Sequence, residues 1–141
     1  MRTGGAVLLL IATLVAASCA GATLRGAEPR IIAVRNRSGS DIEQVTLREA
    51  SRWGNAARFA TIAPVPSGAT QVLVRPTDPP RLPRNVEVEW VDSGNRKRVQ
   101  EVSLSSALRA AGVSADEALV IELGPRDEVT AFVESMPRRS P

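Results

Sequence analysis

The side chains that could carry out chemistry in this chain are few. Its 141 residues include no histidine, no tyrosine and a single cysteine, Cys19. Without an imidazole, a Ser-His-Asp triad, a Cys-His dyad and a histidine-ligated zinc or copper site are all excluded. The remaining candidates are the thiol of Cys19, one lysine at Lys97, and pairs of carboxylates.

Two of these carboxylates, Glu87 and Glu89, stand two residues apart in a segment of alternating polarity. On a strand this spacing puts both on one face, where they could act as acid and base on a glycoside. The competing interpretation is a charged outward face, which also discourages edge-to-edge pairing of sheets. Lys97 lies beside a predicted hairpin turn, where it should be solvated and protonated, whereas a serine–lysine dyad needs a desolvated lysine. We therefore predict no catalytic residue.

Charge and motifs exclude other classes of function. The 18 basic and 15 acidic residues give a net charge of +3, but they are interspersed without a long run of one sign. Such a pattern is typical of a solvated surface and not of a nucleic-acid interface. Neither a glycine-rich phosphate loop nor an EF-hand loop occurs in the sequence. We predict no cofactor, no metal site and no nucleic-acid partner.

The N-terminus has the layout of a secretory signal peptide. Arg2 is followed by an uncharged apolar run over residues 6–17 and then by small residues, so we predict export from the cytoplasm. The residues "VAAS" directly before Cys19 resemble the lipobox of bacterial lipoproteins, with Ala16 where leucine is usual. The resemblance covers residues 1–19. It implies removal of residues 1–18, a diacylglyceryl group on the Cys19 sulfur, and an acyl chain such as palmitate on the new amino group.

Two other fates of the leader stay open. The residues "AGA" at 20–22 offer an ordinary cleavage site, which would discard Cys19. The stretch between Arg2 and Arg25 carries no charge and could span a bilayer as an uncleaved anchor. If Cys19 is acylated, two or more chains hold the protein durably on a membrane. Ala20 follows Cys19 where aspartate would resemble an inner-membrane retention signal, so the resemblance implies the periplasmic leaflet of an outer membrane, where one exists.

The rest of the chain predicts one domain between two irregular segments. Residues 19–29 are small and polar and predict a tether, and residues 136–141 predict a disordered tail. Residues 30–135 contain short valine- and isoleucine-rich runs, separated by turn residues about every ten positions, which predicts an all-β sandwich. Seven or eight short antiparallel strands with one helical insertion resemble a small immunoglobulin-like sandwich, as in small exported lipoproteins of that architecture.

Local patterns predict several details of this domain. "RPTDPPRLPR" contains four prolines and predicts an extended crossover between sheets, because proline cannot join a central strand. "SLSSALRAAG" predicts the helix, with Ser105 or Ser106 as its cap and Gly112 at its end. Gly39 and Gly94 are expected to adopt positive φ in two turns.

The aromatic residues suggest a core and a contact surface. We expect Trp90 in the core with Phe132 beside it. Trp53, in "SRWGN", lies outside any clean alternation and is either an exposed contact residue or a cap on one end of the sandwich. With Arg48, Arg52 and Arg58 it forms a candidate contact patch.

These observations lead to one main hypothesis and two alternatives. The main hypothesis is a lipid-anchored, non-catalytic module of the cell envelope that binds an envelope protein or glycan. The first alternative is a carboxylate-dependent cell-wall glycan hydrolase acting through Glu87 and Glu89. The second is a soluble periplasmic binder of small acidic ligands, which requires several arginines converging on one pocket.

Overall fold

The computed structural model describes residues 28–51, 57–77, 79–112 and 116–137. Within these ranges the chain forms two four-stranded sheets, packed face to face as a β-sandwich with one short helix. The expected all-β sandwich with a helical insertion is therefore confirmed. In chain order the elements are β1 (Ile31–Asn36), β2 (Ile42–Glu49), β3 (Arg58–Ile62), β4 (Thr70–Val74), β5 (Asn85–Asp92), β6 (Lys97–Ser103), α1 (Ser105–Ala110), β7 (Glu117–Leu123) and β8 (Val129–Ser135).

The two sheets have simple strand orders. Sheet A has the order β4-β1-β7-β8 and sheet B the order β3-β2-β5-β6. Neighbouring strands are antiparallel except β1 and β7, which are parallel, with Ile31 opposite Ala118. The sequence pattern predicted antiparallel strands throughout. A parallel pair needs a long crossover, and here the chain between β1 and β7 supplies all of sheet B before it returns.

The core lies between the sheets and follows the period-two alternation of the strands. Val86, Val88 and Trp90 of β5 point inward and are at most 3% exposed, so Trp90 is a core residue as predicted. Phe132 is not beside it. Phe132 is opposite Val120 on the outer face of sheet A, because β8 turns Val129, Ala131 and Val133 toward the core.

Among the described residues, the turns have positive φ at Gly39, Gly68, Asn95 and Asp127. Two of these turns were predicted, one of them at the wrong residue. Gly39 has a φ of 85° as expected, whereas in the β5–β6 hairpin the positive φ of 56° belongs to Asn95 and not to Gly94. The Gly94 N–H donates to the carboxylate of Asp92 at 2.9 Å, and the Asn95 N–H donates to the Asp92 carbonyl at 2.8 Å. Asparagine tolerates the left-handed region better than most residues, so it can close this turn.

The helix is positioned by packing. Its N-cap is Leu104, with no side-chain capping hydrogen bond, so the predicted cap at Ser105 or Ser106 is wrong. Leu104 is fully buried and Ala107 nearly so. A helix of one and a half turns is marginal in isolation and depends on such contacts. It ends at Ala110, before an extended Ala111, two residues before Gly112, where the pattern placed its end.

The proline-rich segment is the predicted crossover. Residues 75–84 leave β4 in sheet A and lead to β5 in sheet B. Among the described residues no helix is long and apolar enough to cross a membrane. The predicted leader, including Cys19, lies outside the described residues.

Candidate functional site

The predicted contact patch is described in part. Arg52 and Trp53 lie outside the described residues. Arg48 of β2 and Arg58 of β3 are opposite each other on the outer face of sheet B. The Arg58 side chain is exposed, while a guanidinium nitrogen of Arg48 lies 3.6 Å from the carboxylate of Glu89. Of the two arginines, Arg58 is therefore the one more available for a partner.

The two candidate acid and base residues occupy the same outer face. The Glu89 carboxylate lies 3.0 Å from Nζ of Lys97 and 3.6 Å from Arg48, so two cations neutralise it. Neither Glu87 nor Glu89 lines either of the two cavities described below. This geometry favours a charged outward face over a carboxylate pair that flanks a substrate.

A polar cavity of about 180 Å³ opens at one end of the sandwich. Three chain segments form it: the β1–β2 turn, the β5–β6 hairpin with the start of β6, and the β7–β8 turn. Its two arginines converge as an acidic-ligand site would require. The lining residues are Ser38, Ser40, Trp90, Asp92, Arg96, Arg98, Pro125 and Asp127.

These arginines are already paired with carboxylates. Asp92, which is 2% exposed, accepts hydrogen bonds from Nε of Arg96 at 3.0 Å and from a terminal nitrogen of Arg98 at 2.8 Å. Nε of Arg98 lies 2.9 Å from the carboxylate of Asp127. Two cations therefore face two anions, and the network ties the hairpin to the β7–β8 turn.

The same contacts change the pKa values of Asp92 and Arg98. The hydrogen bond from Arg98, followed by the backbone N–H of Arg96, lowers the pKa of Asp92 from 3.8 to about 2. The Asp92 hydrogen bond also raises the pKa of Arg98. Asp92 thus stays ionised across the physiological range. The pattern "DSGN" predicted only a turn, although an aspartate whose side chain accepts hydrogen bonds from the backbone of its own turn is a known signal.

A second buried charge fastens the start of the domain. Arg75 is 7% exposed and donates to the carbonyl of Pro29 at 2.9 Å, to the carboxylate of Glu28 at 3.3 Å, and to the carbonyl of Pro80. The Glu28 carboxylate also accepts the N–H of Leu82 at 3.0 Å. Glu28 and Pro29, predicted in the tether, are therefore bound to the sandwich. We call this set of contacts the Arg75 clamp.

The outer face of sheet A carries an apolar surface. Val72 and Val74 of β4 are 51% and 66% exposed, and half-buried Ile31, Phe132 and Met136 lie near them on the same face. A shallow depression of about 620 Å³ borders it between β4 and residues 136–137. Large apolar side chains on an outer sheet face often mark a contact surface. We call Ile31, Val72, Val74, Phe132 and Met136 the sheet A patch.

Comparison with known proteins gives no family. No protein-family model matches the chain, and no curated protein matches it significantly. Among solved structures, the NMR structure of a protein from Eubacterium rectale is similar at 16% identity and a TM-score of 0.43, covering 77% of this chain and 90% of that one. Within the described ranges no three potential metal ligands from His, Cys, Asp and Glu cluster together.

Proposed function

We propose that this chain is an exported lipoprotein, anchored through Cys19, whose sandwich serves as a non-catalytic binding or accessory module of the cell envelope. The observation that carries the proposal is the N-terminal sequence. Arg2, the apolar run 6–17 and the small residues "VAAS" stand in the order that export and lipidation at Cys19 require. The placement we propose is the periplasmic side of a membrane, and the outer membrane where the cell has one.

The start of the sandwich supports a tethered arrangement. The domain is fastened at Glu28 and Pro29 by the Arg75 clamp, so only residues 20–27 separate it from Cys19. Eight residues extend to about 30 Å at most. A lipid on Cys19 would therefore keep the whole domain close to the membrane surface.

Within this proposal the contact patch recognises the partner. Arg52 and Trp53 belong to the connection between β2 and β3, the strands that carry Arg48 and Arg58. Tryptophan and arginine are the residue types most enriched where binding energy concentrates. The partner we propose is an envelope protein or glycan that presents acidic or aromatic-stacking groups.

Fractionation and co-purification test both parts of the proposal. The wild-type protein should sediment with membranes and should incorporate labelled palmitate in cells, whereas Cys19→Ala should incorporate none. After cross-linking in cells, Trp53→Ala and Arg58→Ala should lose a partner that Arg109→Ala keeps, since Arg109 is an exposed arginine on α1. Palmitate labelling that persists without Cys19 would contradict the anchor, and unchanged cross-links in all three variants would contradict the patch.

One observation favours a second function, the soluble binder of small acidic ligands. Arg96 and Arg98 do converge on one cavity, although a ligand would have to compete with Asp127, whose side chain is 54% exposed. Titration of the purified exported domain with inorganic phosphate and citrate tests this function. Saturable heat that Arg96→Ala abolishes would support it, and its absence at millimolar ligand would contradict it.

The hydrolase alternative has a direct test. Incubation with purified cell-wall glycan should release no new reducing ends if the charged-face interpretation is correct. Release that disappears in both Glu87→Gln and Glu89→Gln would instead establish the carboxylate pair as catalytic.

A further inference from the structure

We infer that the sandwich lies on the lipid surface through the sheet A patch, with the charged outer face of sheet B turned away from the membrane. This inference rests on the proposed function, because it takes the lipid on Cys19 as the anchor. The occupant of the apolar face is therefore the bilayer interface itself.

The outer face of sheet A is divided across its strands into an apolar half and a charged half. In the apolar half Ile31 is opposite Val74, Ala33 is opposite Val72, and Val120 is opposite Phe132. One acidic residue, Glu134, also lies in this half, opposite Ala118. In the other half Arg35 is opposite both Thr70 and Glu122. Such a separation of apolar and charged side chains on one surface is typical of elements that lie in a membrane interface.

Ion pairs concentrate in the charged half. The Glu122 carboxylate lies 3.6 Å from Arg35 and 3.2 Å from Arg37. A terminal nitrogen of Arg35 also donates a hydrogen bond to the carboxylate of Glu134. The Arg35 guanidinium lies 5.7 Å from the centre of the Phe132 ring. Arg35 thereby neutralises Glu134, the acidic residue within the apolar half, whose side chain is 43% exposed. Val72 and Val74 of β4 remain the exposed large apolar side chains of this half.

The tether joins the domain at the apolar half. β1 begins at Ile31, directly opposite Val74, and the next residue after Val74 is Arg75, which holds Glu28 and Pro29. The chain that leads to Cys19 therefore leaves the sandwich at the corner where Val74 is 66% exposed. A lipid on Cys19 pulls this corner, and not the charged half, toward the membrane.

Because the tether is short, a small apolar contact is sufficient to hold the sheet A patch on the membrane. A few partly exposed apolar side chains bind a membrane weakly by themselves, but residues 20–27 hold them within about 30 Å of it. At that distance the contact is intramolecular, so its effective concentration is high. The opposite face of the sandwich, with Arg48 and Arg58, then points into the periplasmic space and is free to meet a partner.

Fluorescence of the mature lipoprotein in vesicles tests this orientation. The protein, purified from its host, is reconstituted into vesicles of phosphatidylethanolamine and phosphatidylglycerol as Val72→Cys, Val74→Cys or Val99→Cys. Val99, on β6 in sheet B, is a matched control because it is 51% exposed, like Val72. The introduced thiol, which is the free one when Cys19 is acylated, carries a polarity-sensitive fluorophore.

The expected result is a difference between the two faces. Nitroxide-labelled lipids should quench the probe at positions 72 and 74 at least about twofold more than at 99, while aqueous iodide should favour 99. Equal quenching at the three positions would overturn the inference. Binding of a second copy to this face would also overturn it. In that case positions 72 and 74 would be shielded from iodide but not quenched by nitroxide lipids, and the shielding would increase with protein density.

Labelling of the wild-type protein distinguishes a failure of the lipid anchor from a failure of the proposed orientation. If the fluorophore also labels wild-type protein, the Cys19 sulfur is free, and the lipid anchor itself is contradicted. If wild-type protein is unlabelled and carries the lipid mass, but the three positions behave alike, only the orientation fails. Thermal unfolding of each variant should match wild type, because all three substituted valines are exposed.

Discussion

At the scale of single residues, two charged side chains are buried in the described part of the chain, Arg75 and Asp92. Neither belongs to the predicted contact patch. Asp92 joins the hairpin to the β7–β8 turn through Arg96, Arg98 and Asp127. Arg75 joins the first described residues to the crossover. Both are held by several hydrogen bonds, which is what allows a charge to be buried. Stability should therefore be sensitive to these positions.

Asp92 should make stability depend on acid. Its pKa is lowered in the folded protein, from 3.8 to about 2, so its contribution is present at neutral pH and is lost as the pH falls through about 4 toward 2. Asp92→Asn should be less stable than wild type at pH 7, and the difference should shrink on acidification. Urea unfolding at several pH values measures the difference in free energy of unfolding between the two proteins. Because they share all other carboxylates, the pH dependence of that difference reports on Asp92. A difference that stays constant or grows below pH 4 would refute the assignment.

Arg75 should matter more than a neighbouring exposed arginine. Arg75→Ala removes the donors to Glu28 and to two carbonyls and should lower the free energy of unfolding by about 2 to 4 kcal/mol. Arg30→Ala, at an exposed position beside it, should change it by less than about 0.5 kcal/mol. Chemical denaturation of both variants provides the comparison. Similar losses for the two would show that the clamp contributes little.

At the scale of elements, the β5–β6 hairpin depends on one left-handed residue. Asn95 has a φ of 56°, so Asn95→Ala should destabilise the protein by about 1 kcal/mol, whereas Asn95→Gly should be neutral or stabilising. Ser93→Ala, an exposed change in the same turn, serves as the control. The thermal midpoint of the three variants gives the answer. Equal midpoints for the alanine and glycine variants of Asn95 would contradict the turn geometry.

Strands were more predictable than their outward surfaces. Alternation in "NVEVEWV" identified β5 and its inward face, including Trp90, because a half-buried strand imposes period two. The same rule applied strictly to "VTAFVES" would have placed Phe132 with Thr130 and Glu134 on the outside. We expected Phe132 in the core because aromatic residues generally prefer it. That expectation was wrong because Phe132 packs in an apolar patch on the outer face of sheet A.

Contacts between distant segments were not predictable. Arg75 meets Pro29 across 46 positions, and nothing local in a proline-rich segment distinguishes a buried arginine from a solvated one. The β1–β7 pair is parallel for a similar reason, since register between strands far apart in the chain is decided by the packed sheets and not by either strand alone. Arg48 and Arg58, by contrast, lie on strands adjacent in the chain, although a bulge between Leu47 and Arg48 sets their register.

At the scale of the whole molecule, the two outer faces of the sandwich have different characters. Sheet B presents charged side chains, among them Arg48, Glu89 and Lys97 in one ion-paired group. Sheet A presents the sheet A patch beside the point where the tether begins. Under the proposed lipid anchor, such a module would be held at one face and could meet a partner with the other.

The central claim is the lipid anchor, and the intact mass of the mature protein from its native host tests it most directly. We expect an N-terminus at Cys19 that carries a lipid-sized addition, and the loss of that addition in Cys19→Ala. An unmodified N-terminus at Thr23, or an uncleaved chain that still begins with its leader, would contradict it.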